Sequence, residues 1–217
     1  MRQDRGRVSL KYKTVVIDPP WPIAFESSGR TNILREKREG IKYKKYDDFK
    51  QQDELYDVST IEDIFNFPIN DFADDALLFL WVTCGKIKGR PVIDIGFDII
   101  DKWGFTYHSI ITWVKPNNQA IFSPLLCKTE HVLFAWRGNF ANLTNKQNGV
   151  MKNVLIERGY QIKHSEKPAR FYQLLRAWTP TPRIDIFARN AHEGFDGWGD
   201  EYVGEGTLAP YLKEKMK

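Results

Sequence analysis

The sequence predicts a single α/β domain, 1–217, built on a mostly parallel sheet with helices on both faces. Three observations predict it. Ala76 to Val82 (Ala-Leu-Leu-Phe-Leu-Trp-Val) is a continuous apolar run of strand length, the pattern of a strand buried on both faces. Thr14 to Ile17 is a second β-prone run, cut off by Asp18-Pro19-Pro20-Trp21, because neither proline can donate to a sheet ladder. Between such runs lie apolar stripes at helical spacing, and strands that alternate with helices pair in parallel.

Taken in order, the first strand presents Asp18 at the carboxyl edge of the sheet, where open α/β sheets place their ligands. The prolines fix φ, so the carbonyls of Asp18 and Pro19 point in set directions. Trp21 is expected as a flat apolar plate beside them. A carboxylate, a rigid carbonyl and an indole suit a flat heterocycle that carries an exocyclic amine. Residues 23–57 have no sustained period and read as a basic loop insertion with Tyr43 and Tyr46 among its lysines and arginines. A loop this long beside a catalytic edge is expected to be functional, and interleaved basic and aromatic residues suit a nucleic-acid strand. Arg35, Lys37, Tyr43, Lys44 and Lys45 are its candidate substrate contacts, together with Trp21.

Ser59-Thr-Ile-Glu62 is a capping box that opens a short helix through Ile64 and Phe65 and stops before Pro68. After the apolar strand, Pro91 begins a helix with Val92, Ile95, Ile99 and Trp103 on one stripe, ended by Gly104. Ser109 to Val114 and His131 to Trp136 read as further strands, joined by an irregular polar loop from Lys115 to Thr129. Asn139 to Tyr160 is polar and carries no clear period. Lys167-Pro168 opens the clearest helix, with Phe171, Leu174, Leu175 and Trp178 as its stripe and Thr179-Pro180 as its stop. Arg183 to Ala188 is the next strand. Gly194, Gly197 and Gly199 form a glycine-rich loop that ends in Asp200-Glu201, and residues 202–217 read as a C-terminal tail.

Composition bounds the function. A chain of 217 residues is large enough for one real core, and a net charge of +4 permits a polyanionic partner without demanding one. Four histidines and two cysteines, Cys84 and Cys127, show neither metal-ligand spacing nor a disulfide framework, so no metal is expected. Met1 to Lys13 has no apolar signal region and no stretch is long enough to span a membrane, which sets a cytoplasmic location as the expectation.

Two sites emerge, one after Asp18 and one after Ala188. The second has glycines that permit close backbone approach and acids suited to ribose hydroxyls. It lacks Gly-x-Gly-x-x-Gly and the phosphate-gripping Gly-x-x-x-x-Gly-Lys. A nucleoside cofactor without a tightly held pyrophosphate fits these features better than a dinucleotide or ATP. Asp185 points from the strand and is read as a further cofactor contact.

Asp18-Pro-Pro-Trp21 resembles the signature of the MT-A70 family of S-adenosylmethionine-dependent adenine-N6 methyltransferases. Leu78-Phe-Leu-Trp-Val-Thr83, Trp103-Gly-Phe-Thr-Tyr107, Trp113-Val-Lys115, Thr129-Glu-His131 and Arg137-Gly138 follow in the family's order. His164-Ser-Glu-Lys-Pro168, Ile184-Asp-Ile-Phe-Ala-Arg189 and Gly199-Asp-Glu201 close the match. The resemblance implies a Rossmann-like methyltransferase sheet with permuted motif order, the catalytic motif preceding the cofactor strand. It implies that Asp18, Pro19, Pro20 and Trp21 take the adenine, with Asp18 also beside the cofactor. Lys167 would meet the methionine carboxylate, and Arg189, Gly199, Asp200 and Glu201 would lie around the ribose. The chain departs from better-known eukaryotic members in having Asp200-Glu201 where they carry an Asn-Gln pair, and in a shorter loop from Arg189 to that pair.

The implied substrate is nucleic acid, DNA ahead of RNA, with the adenine flipped or single-stranded because N6 is otherwise held in the stack. Alternatives are the same chemistry on RNA and a catalytically silent nucleic-acid-binding subunit. Homo- and hetero-oligomers are both open.

Overall fold

The computed structural model describes residues 11–22, 61–115, 120–122, 125–143, 150–156, 166–199 and 202. In chain order its strands are β1 (Tyr12–Ile17), β2 (Phe72–Val82), the hairpin β3 (Lys86–Ile87) and β4 (Arg90–Pro91), β5 (Thr106–Val114), the hairpin β6 (Ala120–Phe122) and β7 (Leu125–Cys127), β8 (Thr129–Arg137), β9 (Val154–Ile156), β10 (Arg183–Ile186) and β11 (Asp196–Trp198). The helices are α1 (Ile61–Phe65), α2 (Val92–Lys102) and α3 (Ala169–Trp178).

Seven strands form one sheet in the order β11-β10-β1-β2-β8-β5-β9. Every neighbouring pair is parallel except those that β8 makes with β2 and β5. The reason lies in the connection. Parallel neighbours need a long crossover, usually a helix, whereas antiparallel neighbours do not. Between β5 and β8 the chain has no helical stripe and instead folds the small β6–β7 hairpin, so β8 returns alongside β5. The consequence for the site is that β8 begins where the parallel strands end.

The pleat sorts the core into two faces. Val15 and Ile17 of β1, Leu78 and Leu80 of β2, Leu133 and Ala135 of β8, and Ile184 and Ile186 of β10 pack with α1 and α2 through Ile64, Val92, Ile95 and Ile99. The alternate residues Val16, Leu77, Phe79, Trp81, Val132 and Phe134 pack with α3 through Phe171, Tyr172 and Leu175. Helices therefore cover both faces, as expected of strands that are apolar without alternation.

Element boundaries differ from the sequence reading where local signals conflict. β2 starts at Phe72 rather than Ala76, because Phe72 and Ala73 are buried ahead of the two acids that interrupt the apolar run. Pro168 stands at the N-cap of α3, where the sequence opens the helix. Gly104, at φ +71°, ends α2 as expected, its N–H reaching the Asp101 carbonyl at 3.0 Å. The glycine-rich stretch after Ala188 contains β11, which pairs with β10 at the sheet edge. The unassigned polar stretch contains β9. Ser59 and Thr60 of the expected capping box, the basic loop 23–57 and the tail from 203 onward lie outside the described residues.

α3 is fastened to the sheet just after Lys167. Phe171 is fully buried, its ring meeting Phe79 edge-on at 6.0 Å and Trp81 at 5.0 Å between centroids. Phe171→Ala should cost about 3–5 kcal/mol of folding free energy, read as a lower urea midpoint at unchanged slope. A loss under about 1 kcal/mol would mean that α3 is held mainly by something else.

Candidate active site

Four charged side chains meet at the edge where β1, β2 and β5 end and β8 begins. The pleat places three of them. Asp18 shares the parity of Val16, Lys115 that of Trp113, and Glu130 that of Val132 and Phe134, and all of those residues face α3. The fourth, Lys167, enters from the segment that leads into α3. Its Nζ lies 2.9 Å from Asp18 Oδ2 and 3.0 Å from Glu130 Oε2, with its own side chain 11 % exposed. Lys115 Nζ pairs with the other Glu130 oxygen, Oε1. Indoles floor both ammoniums: Lys167 lies 5.0 Å from the Trp81 ring centroid and Lys115 5.4 Å from that of Trp113.

The two acids share one lysine on unequal terms. Burial opposes the charge on Glu130, but Lys167 and Lys115 outweigh it and hold the carboxyl down at about 2. Asp18 moves the other way. Burial raises its carboxyl, the neighbouring Glu130 charge adds to that, and Lys167 and Arg189 only partly offset it. For Lys167, burial works against the charged form, yet Asp18 and Glu130 together push the ammonium above the ordinary lysine value.

The proline motif is folded back on itself and pinned. The Asp18 N–H still reaches the Ile186 carbonyl at 3.2 Å, continuing the sheet ladder, and there the ladder stops. The Trp21 N–H donates to the Pro19 carbonyl at 2.8 Å. Trp21 Nε1–H donates to the Trp81 carbonyl at 3.0 Å, and the indole is only 5 % exposed within the core. The sequence reading set Trp21 as a flat apolar plate beside Asp18. The ring is a buried strut that ties the end of β1 to the end of β2, because a large apolar ring gains by burial and its single N–H finds a carbonyl there.

The remaining expected residues separate. Asp18 and Lys167 come together in a direct ion pair, and the charge of Arg189 acts on Asp18. Gly199 is buried where a Cβ would stand 2.4 Å from the Ala188 carbonyl oxygen, so the close approach it permits is that of Ala188's own backbone. Asp185 is 2 % exposed on the α3 face of β10, with neither carboxylate oxygen in a good hydrogen bond. Burial drives its carboxyl well above the carboxylate range, and the nearby Tyr172 hydroxyl only partly opposes this. His192 stacks on Tyr172 at 3.4 Å and has Nε2 3.8 Å from Asp185 Oδ2. Asp200, Glu201, Arg35, Lys37, Tyr43, Lys44 and Lys45 lie outside the described residues.

Sequence reasoning assigned no role to Glu130 or Lys115. The signal was present as a lone acid opening one apolar strand and a lone lysine closing another. Only the antiparallel direction of β8 shows that both reach the same edge. Chemically, the edge offers a cation suited to a carboxylate and two acids suited to a positively charged or hydrogen-donating ligand. Among the described residues no group of His, Cys, Asp and Glu is arranged to hold a metal ion.

A family model and several known proteins match the chain. The model of the MT-A70 family matches residues 12–201. The chain is 28% identical over 195 residues to the Type II methyltransferase M.MunI of Mycoplasma, covering 88% of this chain and 78% of that protein. It is 32% identical over 227 residues to a probable N(6)-adenosine-methyltransferase MT-A70-like protein of Oryza sativa, across 100% of this chain and 27% of that one. With the human N(6)-adenosine-methyltransferase catalytic subunit METTL3 it shares 26% identity over 217 residues, 95% of this chain and 31% of the human protein. The chain thus spans most of the Mycoplasma relative and under a third of the plant and human ones.

The depressed carboxyl of Glu130 makes a prediction about acid stability. A carboxyl held near 2 when folded, against 4.5 ordinarily, contributes stability that is complete above about pH 5 and fades as pH falls toward 2. The stability gap between the parent and Glu130→Gln, from denaturant unfolding at several pH values, should therefore be largest at neutral pH and shrink across that window. A gap that stays constant with pH would show that Glu130 is not held as a paired carboxylate.

Proposed function

The chain belongs to the MT-A70 family, and from that premise we propose that it transfers a methyl group from S-adenosylmethionine to the N6 amine of adenine in nucleic acid, DNA before RNA. One observation carries the reading: the acid of Asp18-Pro19-Pro20-Trp21 stands at a strand end, fixed by two prolines and a buried indole, next to a lysine it shares with a second acid.

The residues present fit such a cofactor. A largely buried lysine beside two carboxylates is the donor set for a ligand that carries one carboxylate and two positive groups. Lys167 would hold the carboxylate, Asp18 would lie beside the positive groups, and Arg189 and the Gly199 turn would border the nucleoside. When bound, S-adenosylmethionine supplies a methyl group on a sulfonium, which needs a positioned nucleophile rather than a strong base.

Everything else falls to this chain's own residues. The N6 amine is a poor nucleophile because its lone pair is delocalised into the ring. Asp18 accepts one N6 hydrogen and draws the nitrogen toward a tetrahedral arrangement. The Pro19 carbonyl already accepts from the Trp21 N–H, and its second lone pair is left to take the other hydrogen. The pinned backbone sets both acceptors in advance, so the rate gain comes from positioning and preorganised electrostatics. N6 of a stacked base is out of reach, so the adenine enters flipped or from a single strand.

A type II methyltransferase and N(6)-adenosine-methyltransferases both resemble the chain, so DNA and RNA are tested side by side. The basic loop 23–57 belongs to this reading as the substrate-facing segment, and the permuted order of catalytic motif and cofactor strand belongs to it as well.

The test is mass spectrometry of nucleosides from DNA and from RNA incubated with the protein and isotopically labelled cofactor. Labelled N6-methyladenine is expected, more from DNA. Asp18→Ala and Asp18→Asn should each reduce turnover by roughly 10²-fold or more at saturating substrate while the fold is retained. No labelled base from either nucleic acid, or near-normal turnover in both variants, would overturn the proposal.

A further inference from the structure

The four charges at the sheet edge form a line of alternating sign, Asp18–Lys167–Glu130–Lys115. Their side chains are 25 %, 11 %, 17 % and 17 % exposed in that order, so each is dry enough to need a counter-charge. Lys115 adds something the proposed chemistry does not require. Its ammonium pairs with Glu130, and through Glu130 it reaches Lys167 and Asp18.

Consider what happens when Lys167 turns toward a ligand carboxylate. Without Lys115, its departure would leave two carboxylates facing each other, both uncompensated. With Lys115 on Oε1, Glu130 keeps a cation and stays in place. Asp18, by contrast, has its Oδ2 occupied at 2.9 Å by the ammonium, in a charge-assisted bond stronger than the neutral amine of a base can offer. As long as that pair is closed, the ammonium offsets the acid's charge, which leaves Oδ1 a weaker acceptor for an incoming amine. The unequal hold on the shared lysine points the same way, since Glu130 is held down as a carboxylate while Asp18 is not.

Resting on the methyl-transfer reading, we propose that Lys115 and Glu130 are positioning residues that let Lys167 leave Asp18 for the cofactor's carboxylate, so that cofactor capture precedes and enables capture of the target base. The coupling runs both ways, because whatever the cofactor does for the base the base does for the cofactor.

The probes are S-adenosylhomocysteine, which has the carboxylate, and 5′-methylthioadenosine, which lacks it. The base is presented in a fluorescent single-stranded oligodeoxynucleotide with one adenine, and binding is followed by anisotropy. Saturating S-adenosylhomocysteine should tighten oligonucleotide binding by about tenfold, and methylthioadenosine should leave it unchanged. In Lys167→Met the acid is free from the start, so the oligonucleotide should bind with the same affinity with or without S-adenosylhomocysteine. In Lys115→Met calorimetry should show S-adenosylhomocysteine bound about tenfold more weakly, and Lys115→Arg should restore it.

Equal oligonucleotide affinity with and without S-adenosylhomocysteine in the parent would overturn the ordered capture while leaving the methyl-transfer reading intact. Equal enhancement by methylthioadenosine would overturn the role of the carboxylate. Lys115→Met with parental cofactor affinity would reduce the Lys115–Glu130 pair to a brace between β5 and β8. If neither nucleoside ligand binds the parent at all, the methyl-transfer reading itself fails and the inference falls with it.

Discussion

One ammonium group, Lys167 Nζ, lies within 3.0 Å of two carboxylates that come from different strands. Removing it would leave Asp18 and Glu130 as like charges at a partly buried edge, where a charge without a partner is expensive and a pair of like charges more so. The rest of the architecture follows from the need to bring that lysine there. Phe171 and the aromatic cluster around Trp81 seat the start of α3 over the sheet. The Trp81 indole lies under the ammonium, and its backbone carbonyl anchors Trp21. A single residue of β2 therefore supports both the lysine and the proline motif.

The single reversed strand matters as much. In a fully parallel sheet the first residues of β8 would lie at the opposite edge from Asp18. Because β8 runs backward, its residue Glu130 starts at the edge where β1 ends, and the register that pairs Trp113 with Glu130 puts Lys115 two residues further along the neighbouring strand. Two acids and one lysine are gathered by sheet direction and pleat parity, and the segment leading into α3 adds the second lysine.

The strong local signals in the sequence were readable. A seven-residue apolar run makes a two-sided strand, and an apolar stripe bounded by proline makes α3. The Asp-Pro-Pro-Trp motif necessarily ends its strand. Asp18 and Lys167 follow from those signals and from the family's motif, and the two side chains meet. Harder to read were three-residue strands such as β9 and β11, too short to show a period, with a glycine in the middle of β11. Glu130 was illegible for a different reason: one acid before an apolar strand looks like an ordinary solvated end until the strand's direction is known. Trp21 was read as a flat plate beside Asp18, and its burial could not be read because the acceptor for its N–H belongs to residue 81, sixty positions away. Asp185 was read as a cofactor contact, and its strand position buries it beside Tyr172 and His192.

The claim at the centre of this account is that one lysine is shared unequally between two acids. Carbon-13 NMR of the side-chain carboxyl carbons, titrated over pH in the parent and in Lys167→Met, measures this directly. The account predicts that Glu130 titrates near 2 and Asp18 above the ordinary 3.8 in the parent, and that loss of the lysine moves Glu130 upward. Two carboxyls that titrate at their ordinary values in the parent, unmoved by the substitution, would contradict it.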